Sequence, residues 1–319
     1  MDNSLFKFIG RYKVENDCLY FYNGGSGLSF KMKGKHFDID IRFTDGEGYY
    51  YFILDKDYKN KVKISSKVNS IPFFDDGEHE IDIIKANEAN DNTMVIRDIY
   101  IKGELLPYSN YPKKRACVYG DSTIAGFGIL AHSGSASIHN SDSVEDFCFQ
   151  ALYELDFDMD IMSASGYGLV FSAYTYPMDI GIIDFYNKVK VHSDIAWEGY
   201  KNDLLIVSLG TNDNAFISEN PENRQTLIDI FKVKYRQLID SEVSKNPDIK
   251  ILMVYGTLKE ENAYPLIEET YQYLKPVYKN LYIHKFDGDN TAISNHAFVD
   301  AHKRMAEELK NVIKEIFKK

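Results

Sequence analysis

Cysteine is scarce in this sequence. Three occur in 319 residues, Cys18, Cys117 and Cys148, with no CxxC spacing and no neighbouring histidine that would complete a zinc site. A disulfide scaffold and a structural metal centre are set aside on that ground, and reduced, structural thiols are expected. No apolar window reaches membrane-spanning length, and the N-terminus, Met1-Asp2-Asn3-Ser4-Leu5-Phe6-Lys7, lacks a basic start followed by an apolar run. The chain as given therefore reads as cytoplasmic, or as secreted where a signal peptide has been trimmed. Positive charge is in deficit: 37 Lys and Arg stand against 48 Asp and Glu, a formal net charge of -11. Such a surface repels phosphate backbones and anionic lipid, so neither nucleic acid nor membrane is expected as a partner, and a neutral ligand fits better. Internal repeats and low-complexity tracts are missing too, and nothing in the sequence speaks to the oligomeric state.

What is present is the composition of a soluble globular protein. Hydrophobic residues make up 44% and charged residues 27%, enough for a large core. At this length two domains are expected rather than one. The 24 tyrosines and 20 phenylalanines suit sheet packing, and flat aromatic faces also suit sugars; sheet packing accounts for most of them.

The chain changes character near its first third. From about Arg11 to about Leu106, short aromatic and β-branched segments alternate with Gly, Asp and Asn turns, as in a β-sandwich. Leu19 to Tyr22, Phe37 to Phe43, Tyr49 to Leu54, His79 to Lys85 and Met94 to Ile101 are predicted strands. Gly24-Gly25-Ser26-Gly27 and Asp75-Asp76-Gly77 are predicted turns. Leu106-Pro107-Tyr108-Ser109-Asn110-Tyr111-Pro112 reads as a linker, which gives domains at residues 1–108 and 109–319. Beyond it, short apolar runs at Ala116–Tyr119, Met159–Met162, Leu204–Leu209, Ile251–Val254 and Leu281–Ile283 alternate with helical stretches such as Gln225–Val243 and Ala263–Leu274. The last stretch places Phe298, Met305, Leu309, Val312, Ile313, Ile316 and Phe317 on one helical face. This is the pattern of a doubly wound α/β layer on a parallel sheet.

In such a layer reactive groups collect at the carboxyl ends of the strands. Ala116–Tyr119 runs into Gly120-Asp121-Ser122-Thr123, a tight turn that presents a serine beside free N–H groups. Met162 is followed by Ser163-Ala164-Ser165-Gly166-Tyr167-Gly168, whose glycine lets a backbone N–H approach a carbonyl. Leu204–Leu209 ends in Gly210-Thr211-Asn212-Asp213, whose amide side chain is a second donor to a developing oxyanion. Ser294-Asn295-His296 precedes the last helix and brings an imidazole to the same edge. Singly these are an N-cap, a loop, an Asx turn and a capping histidine. Jointly, their order and placement specify a site.

These residues resemble the four sequence blocks of the SGNH, or GDSL-type, hydrolases, over roughly Arg115 to Lys319. Gly10-Arg11, Gly24-Gly25-Ser26-Gly27 and Asp76-Gly77-Glu78-His79 are further similar to the jelly-roll domain that precedes the SGNH domain in carbohydrate esterase family two. Ser165-Gly166-Tyr167-Gly168-Leu169 and the stretch from His296 to Ala306 resemble later blocks of the same family. The resemblance implies a jelly-roll followed by a flavodoxin-like, three-layer α/β/α hydrolase domain. It also implies an acetyl esterase acting on poly- or oligosaccharides, with no cofactor and no metal. Ser122 would be the nucleophile and His296 its base, with an oxyanion hole from the N–H groups of Ser122 and Gly166 and the Asn212 amide. Asp121 and Asp213 would hold loops.

The sequence departs from that pattern at the histidine block. The aspartate usual two or three residues before the histidine is replaced by Ser294 and Ile293. A third catalytic member is then left among a backbone carbonyl near Asn295, the Ser294 side chain, and a carboxylate from Asp287 or Asp289; a carbonyl, in a Ser-His dyad, is favoured. Asn295 also stands where the family has tryptophan. Tyr167, Trp197 and Asn295 are the candidate sugar contacts, with structural packing the commoner role for a lone tryptophan. The loop Ala131–Ser143 would rim the pocket or merely cover the surface, and His302 would pack or cap. Two other functions compete: a non-catalytic carbohydrate-binding protein, and a sugar O-acetyl transferase working through the same acetyl-enzyme.

Overall fold

A computed structural model of the chain describes residues 5–66, 70–72, 76–108, 114–173, 177–258 and 263–318. Asp75 of the predicted turn and Ser109 to Pro112 of the predicted linker lie outside the described residues.

Among the described residues the first part is built on strands, with one short 3-10 turn at Tyr58–Asn60: β1 (Phe6–Ile9), β2 (Tyr12–Glu15), β3 (Cys18–Phe21), β4 (Gly27–Phe43), β5 (Tyr49–Leu54), β6 (Val62–Ser65), β7 (Ser70–Pro72), β8 (Glu78–Lys85) and β9 (Met94–Leu106). All pairings are antiparallel, in the order β2-β3-β9-β4-β8-β5-β6, with β1 and β7 also bonded to β4. Period-two patterning sets the faces. Along β4, Phe37, Ile39, Ile41 and Phe43 are buried while Asp38, Asp40 and Arg42 turn toward solvent. The inward side chains meet Leu19, Phe21, Tyr50, Ile81, Ile83, Met94 and Ile96 in one apolar cluster.

Among the described residues the second part carries five parallel strands, β10 (Lys114–Gly120), β11 (Phe157–Ser163), β12 (Leu204–Ser208), β13 (Lys250–Tyr255) and β14 (Leu281–Lys285), in the order β11-β10-β12-β13-β14. Among the described residues six α-helices accompany them: α1 (Ser122–Ala125), α2 (Phe147–Glu154), α3 (Thr211–Glu219), α4 (Arg224–Val243), α5 (Tyr264–Leu274) and α6 (Val299–Lys318). The central strands are buried along their length because helices cover both faces. Val118, Ile206 and Val254 pack with α2 and α6 on one face; Cys117, Leu205 and Met253 pack with α4 and α5 on the other. This order reverses direction between β10 and β12, and a crevice opens beyond their carboxyl ends.

The two parts share an interior. Ile9, Tyr51, Ile53, Tyr58, Ile84 and Ala86 from the antiparallel part lie in the same buried cluster as Ala116, Phe149, Met159 and Ile161. Arg11, 1% exposed, crosses this seam: its guanidinium donates to Asp160 at 2.8 Å, to the carbonyls of Tyr186 and Lys188 at 2.9 and 2.6 Å, and to the Tyr119 hydroxyl at 3.3 Å. Glycines permit the approach. A Cβ on Gly24 would sit 2.0 Å from Ser143 Oγ. Cys18, Cys117 and Cys148 are free thiols. Among the described residues no helix is long and apolar enough to cross a membrane.

Candidate active site

The turn after β10 is shaped by its first two residues. A Cβ on Gly120 would lie 2.2 Å from Ile124 Cγ1, so only glycine lets the chain fold back here. Asp121 caps the following helix by accepting the Thr123 N–H at 3.0 Å, and Ser122 becomes the first residue of α1. The predicted nucleophile thus stands at the crevice, held from below by the sheet.

The predicted base reaches it from the other end of the sequence. His296 Nε2 lies 2.7 Å from Ser122 Oγ, although 174 residues separate them. His296 closes a single turn of 3-10 helix, Ile293–Asn295, in which Ser294 (φ 53°) and Asn295 (φ 61°) are both left-handed. Each such residue costs about 1–2 kcal/mol, and here the strain has a geometric result. It aims two carbonyls at the ring: Nδ1 is 3.1 Å from the Ile293 oxygen and 3.2 Å from the Ser294 oxygen. Carbonyls only accept, so Nδ1 carries the ring proton and Nε2 offers its lone pair to the serine hydroxyl. The turn is pinned by Ile293 N–H to the Ala131 carbonyl and Ala292 N–H to the His296 carbonyl.

Ser122, Phe127, Ser165, Gly166, Thr211, Asn212, Leu258, Ser294, Asn295 and His296 line one cavity of about 550 Å³. Gly166 sits at φ +84°, a conformation suited to glycine, in the loop after β11. Asn212, at the start of α3, fixes its amide by donating one hydrogen to the Tyr167 carbonyl at 3.0 Å. Beneath them Asp213 accepts the N–H groups of Leu169, Val170 and Phe171 at 2.8 to 2.9 Å, which holds the loop after Gly166. Burial pushes that carboxyl up to about 6 against the pull of its backbone donors. Burial likewise holds the His296 imidazole below its ordinary value of 6.5, partly offset by the Ile293 and Ser294 carbonyls.

The remaining expected site residues divide between the cavity wall and other parts of the fold. Asp289 accepts from the Phe298 and Thr291 N–H groups and lies 3.7 Å from the Arg304 guanidinium, so the turn before α6 uses it, not the histidine. Ser294 contributes its carbonyl to the ring rather than its side chain, and the Asn295 carbonyl is not among the ring's hydrogen-bond partners. Trp197 donates to Asp160 at 3.0 Å and packs edge-on against Tyr12 and Tyr200 at the seam, and it does not line the cavity. Tyr167 is buried, its hydroxyl bonded to His192, and its ring is not part of the cavity wall. Asn295 does line the cavity. The loop Ala131–Ser143 ties elements together: His132 bonds the Thr291 carbonyl and stacks on Phe298, and His139 bonds Tyr49. Phe127, packed 5.0 Å from the His296 ring, and Leu258 were not foreseen; a lone apolar residue in a loop gives no signal until the chain is folded.

Comparison with known proteins agrees with the two-part fold. Residues 8–108 match the family model described as Carbohydrate esterase 2 N-terminal. A family two carbohydrate esterase from Clostridium thermocellum, solved in complex with cellohexaose, superposes at a TM-score of 0.81 with 20% identity over 97% of this chain and 98% of that one. One from Cellvibrio japonicus gives 0.80 and 21%, over 98% and 95%. An acetyl xylan esterase from the rumen bacterium Butyrivibrio proteoclasticus gives 0.82 and 15%, over 99% and 96%. At these identities the likeness is one of fold. No curated protein sequence matches the chain.

Proposed function

We propose that this chain, with the two-domain fold of the family two carbohydrate esterases and their N-terminal domain over residues 8–108, is a serine esterase that removes O-acetyl groups from carbohydrates. The observation that carries the reading is the 2.7 Å contact between His296 Nε2 and Ser122 Oγ at the mouth of the parallel sheet. In our assignment residues 1–108 form the sandwich domain and 109–319 the catalytic one. Ser122 attacks the acetyl carbonyl while His296 takes its proton, then returns it to the departing sugar oxygen. An acetyl-enzyme remains, and water activated by the same imidazole releases acetate. The N–H groups of Ser122 and Gly166 and the Asn212 amide receive the oxyanion, each worth about 3 kcal/mol of barrier.

A carboxylate is not needed to orient the ring. The Ile293 and Ser294 carbonyls fix the tautomer and place partial negative charge beside the imidazolium that forms. A net charge of -11 suits a neutral glycan, and the solved relatives include a cellohexaose complex and an acetyl xylan esterase. The test is acetate release from acetylated xylan, mannan and monosaccharides. Ser122→Ala and His296→Ala should each lose at least about 1000-fold in kcat. Asp289→Ala should stay within about 10-fold of wild type; a collapse to the His296→Ala level would overturn the dyad. Wild-type protein that binds glycans but frees no acetate would overturn the esterase reading, and acetate moved to an acceptor sugar would mark a transferase.

A further inference from the structure

The segment that follows β8, although part of the antiparallel sheet region, reaches the wall of the cavity. Its anchoring is unusually complete. The Ala86 carbonyl accepts the Ser143 N–H at 2.8 Å, and Ser143 Oγ in turn donates to the carbonyl of Ala125, the last residue of α1. Asn87 accepts the Tyr49 N–H and donates to the Ile138 carbonyl, at 2.8 and 2.9 Å. Lys85, fully buried, donates its ammonium to the carbonyls of Asn87 and Glu88. The turn ends at Glu88, 5% exposed, one oxygen of which accepts the Ser165 N–H at 2.9 Å and the other the Ser165 hydroxyl at 2.8 Å. Ser165 is cavity wall and precedes Gly166. Nothing in the Ser122 and His296 chemistry uses Glu88.

Resting on the esterase reading above, we propose that Glu88 is a positioning residue for hydrolysis: its carboxylate grips both donors of Ser165 and so fixes the Ser165–Gly166 peptide whose N–H receives the oxyanion. The Ser165 N–H belongs to the Ala164–Ser165 peptide and the hydroxyl to the Ser165 side chain, so the two bonds together fix the Ser165 Cα from which the peptide carrying the Gly166 N–H departs, where a single bond would leave a pivot. The carboxylate charge is taken up by the two Ser165 donors. Burial, with the nearby Asp91, pushes the carboxyl up to about 7 against the Ser165 bonds, so the protein holds this group where it is costly to bury. A glutamine can make both contacts, accepting the N–H with its oxygen and donating its amide to the Ser165 oxygen. Alanine can make neither.

Steady-state kinetics on an acetylated xylo-oligosaccharide, with wild type, Ser122→Ala, Glu88→Gln, Glu88→Ala and Glu88→Asp, test this. Glu88→Ala should lose about 10- to 100-fold in kcat with KM within about 3-fold, because ground-state binding does not use the oxyanion donor. Glu88→Gln should keep kcat within about 3-fold of wild type. Should Glu88→Ala not fold, Glu88→Asp decides, since its carboxylate is one methylene short of Ser165; it should lose at least about 5-fold in kcat at unchanged KM. Equal kcat in all folded variants, or a change in KM alone, overturns the positioning role while Ser122-dependent hydrolysis leaves the esterase reading standing. Wild type without Ser122-dependent hydrolysis overturns both.

Discussion

At the scale of single residues, the site is governed by how one imidazole is held. The two left-handed residues before His296 turn their own chain into its orienting group, a task usually given to a remote acid. Burial then lowers the ring's pKa, so the neutral form that the proposed base role requires persists further into acid than for a free histidine. The acid limb of kcat/KM should accordingly fall below pH 6.5; raising the ring's pKa above its ordinary value would take an adjacent anion, and the Nδ1 partners are neutral carbonyls. A pH–rate profile with its acid limb above 6.5 would contradict this electrostatic picture. Ser122, Gly166, Asn212 and His296, which line one cavity, could be placed together from sequence because each follows an apolar strand run or precedes a patterned helix, where chain order itself gives location. Tyr167 and Trp197 could not be placed that way. An aromatic side chain reads the same whether its ring faces a ligand or Asp160 and Tyr200, as Trp197 does. Glu88 was silent for another reason: its partner lies 77 residues away and both are ordinary loop residues in sequence.

Among elements, periodicity proved the safest guide. The helix expected at Gln225–Val243 is α4, Arg224–Val243, and the five parallel strands fall where apolar runs were read. β4 is longer than its pattern announced. It starts at Gly27, ten residues before the predicted Phe37, because the register shifts between Gly34 and His36 and the alternation breaks across that bulge. Helix ends carry chemistry that composition does not reveal. His302 in α6 accepts the N–H of Phe147, the first residue of α2, through Nδ1, and burial lowers its pKa to about 3. Unfolded, the ring takes a proton below about 6.5; folded, it refuses one until about 3. Stability is therefore lost as pH falls through that window, by about 2 kcal/mol at pH 5 from this group. Urea unfolding from pH 7 to 4.5 should show a flatter decline for His302→Gln, whose oxygen can still accept from Phe147. Parallel curves would exclude His302 as the source.

For the molecule as a whole, the sequence suggested two domains joined by a linker, while the packing joins them side to side through Ile9, Tyr51, Tyr58, Ile84 and Ala86. No local pattern announces such a contact, since these residues serve their own strands equally well. Removing Arg11 from this seam takes the ion-pair partner from buried Asp160 and a donor from two carbonyls, so Arg11→Ala should cost about 3–5 kcal/mol of unfolding free energy. Trp197, beside the same aspartate, reports on the seam by fluorescence, and its denaturation curve should coincide with that from far-ultraviolet circular dichroism. Two separated transitions would mean that the halves unfold independently. The shared interior also bears on how such a chain can change over generations. A crossover near its first third, swapping in another sandwich, would mismatch side chains from both parents in one packed region, so the two halves must vary in concert and be inherited as a unit.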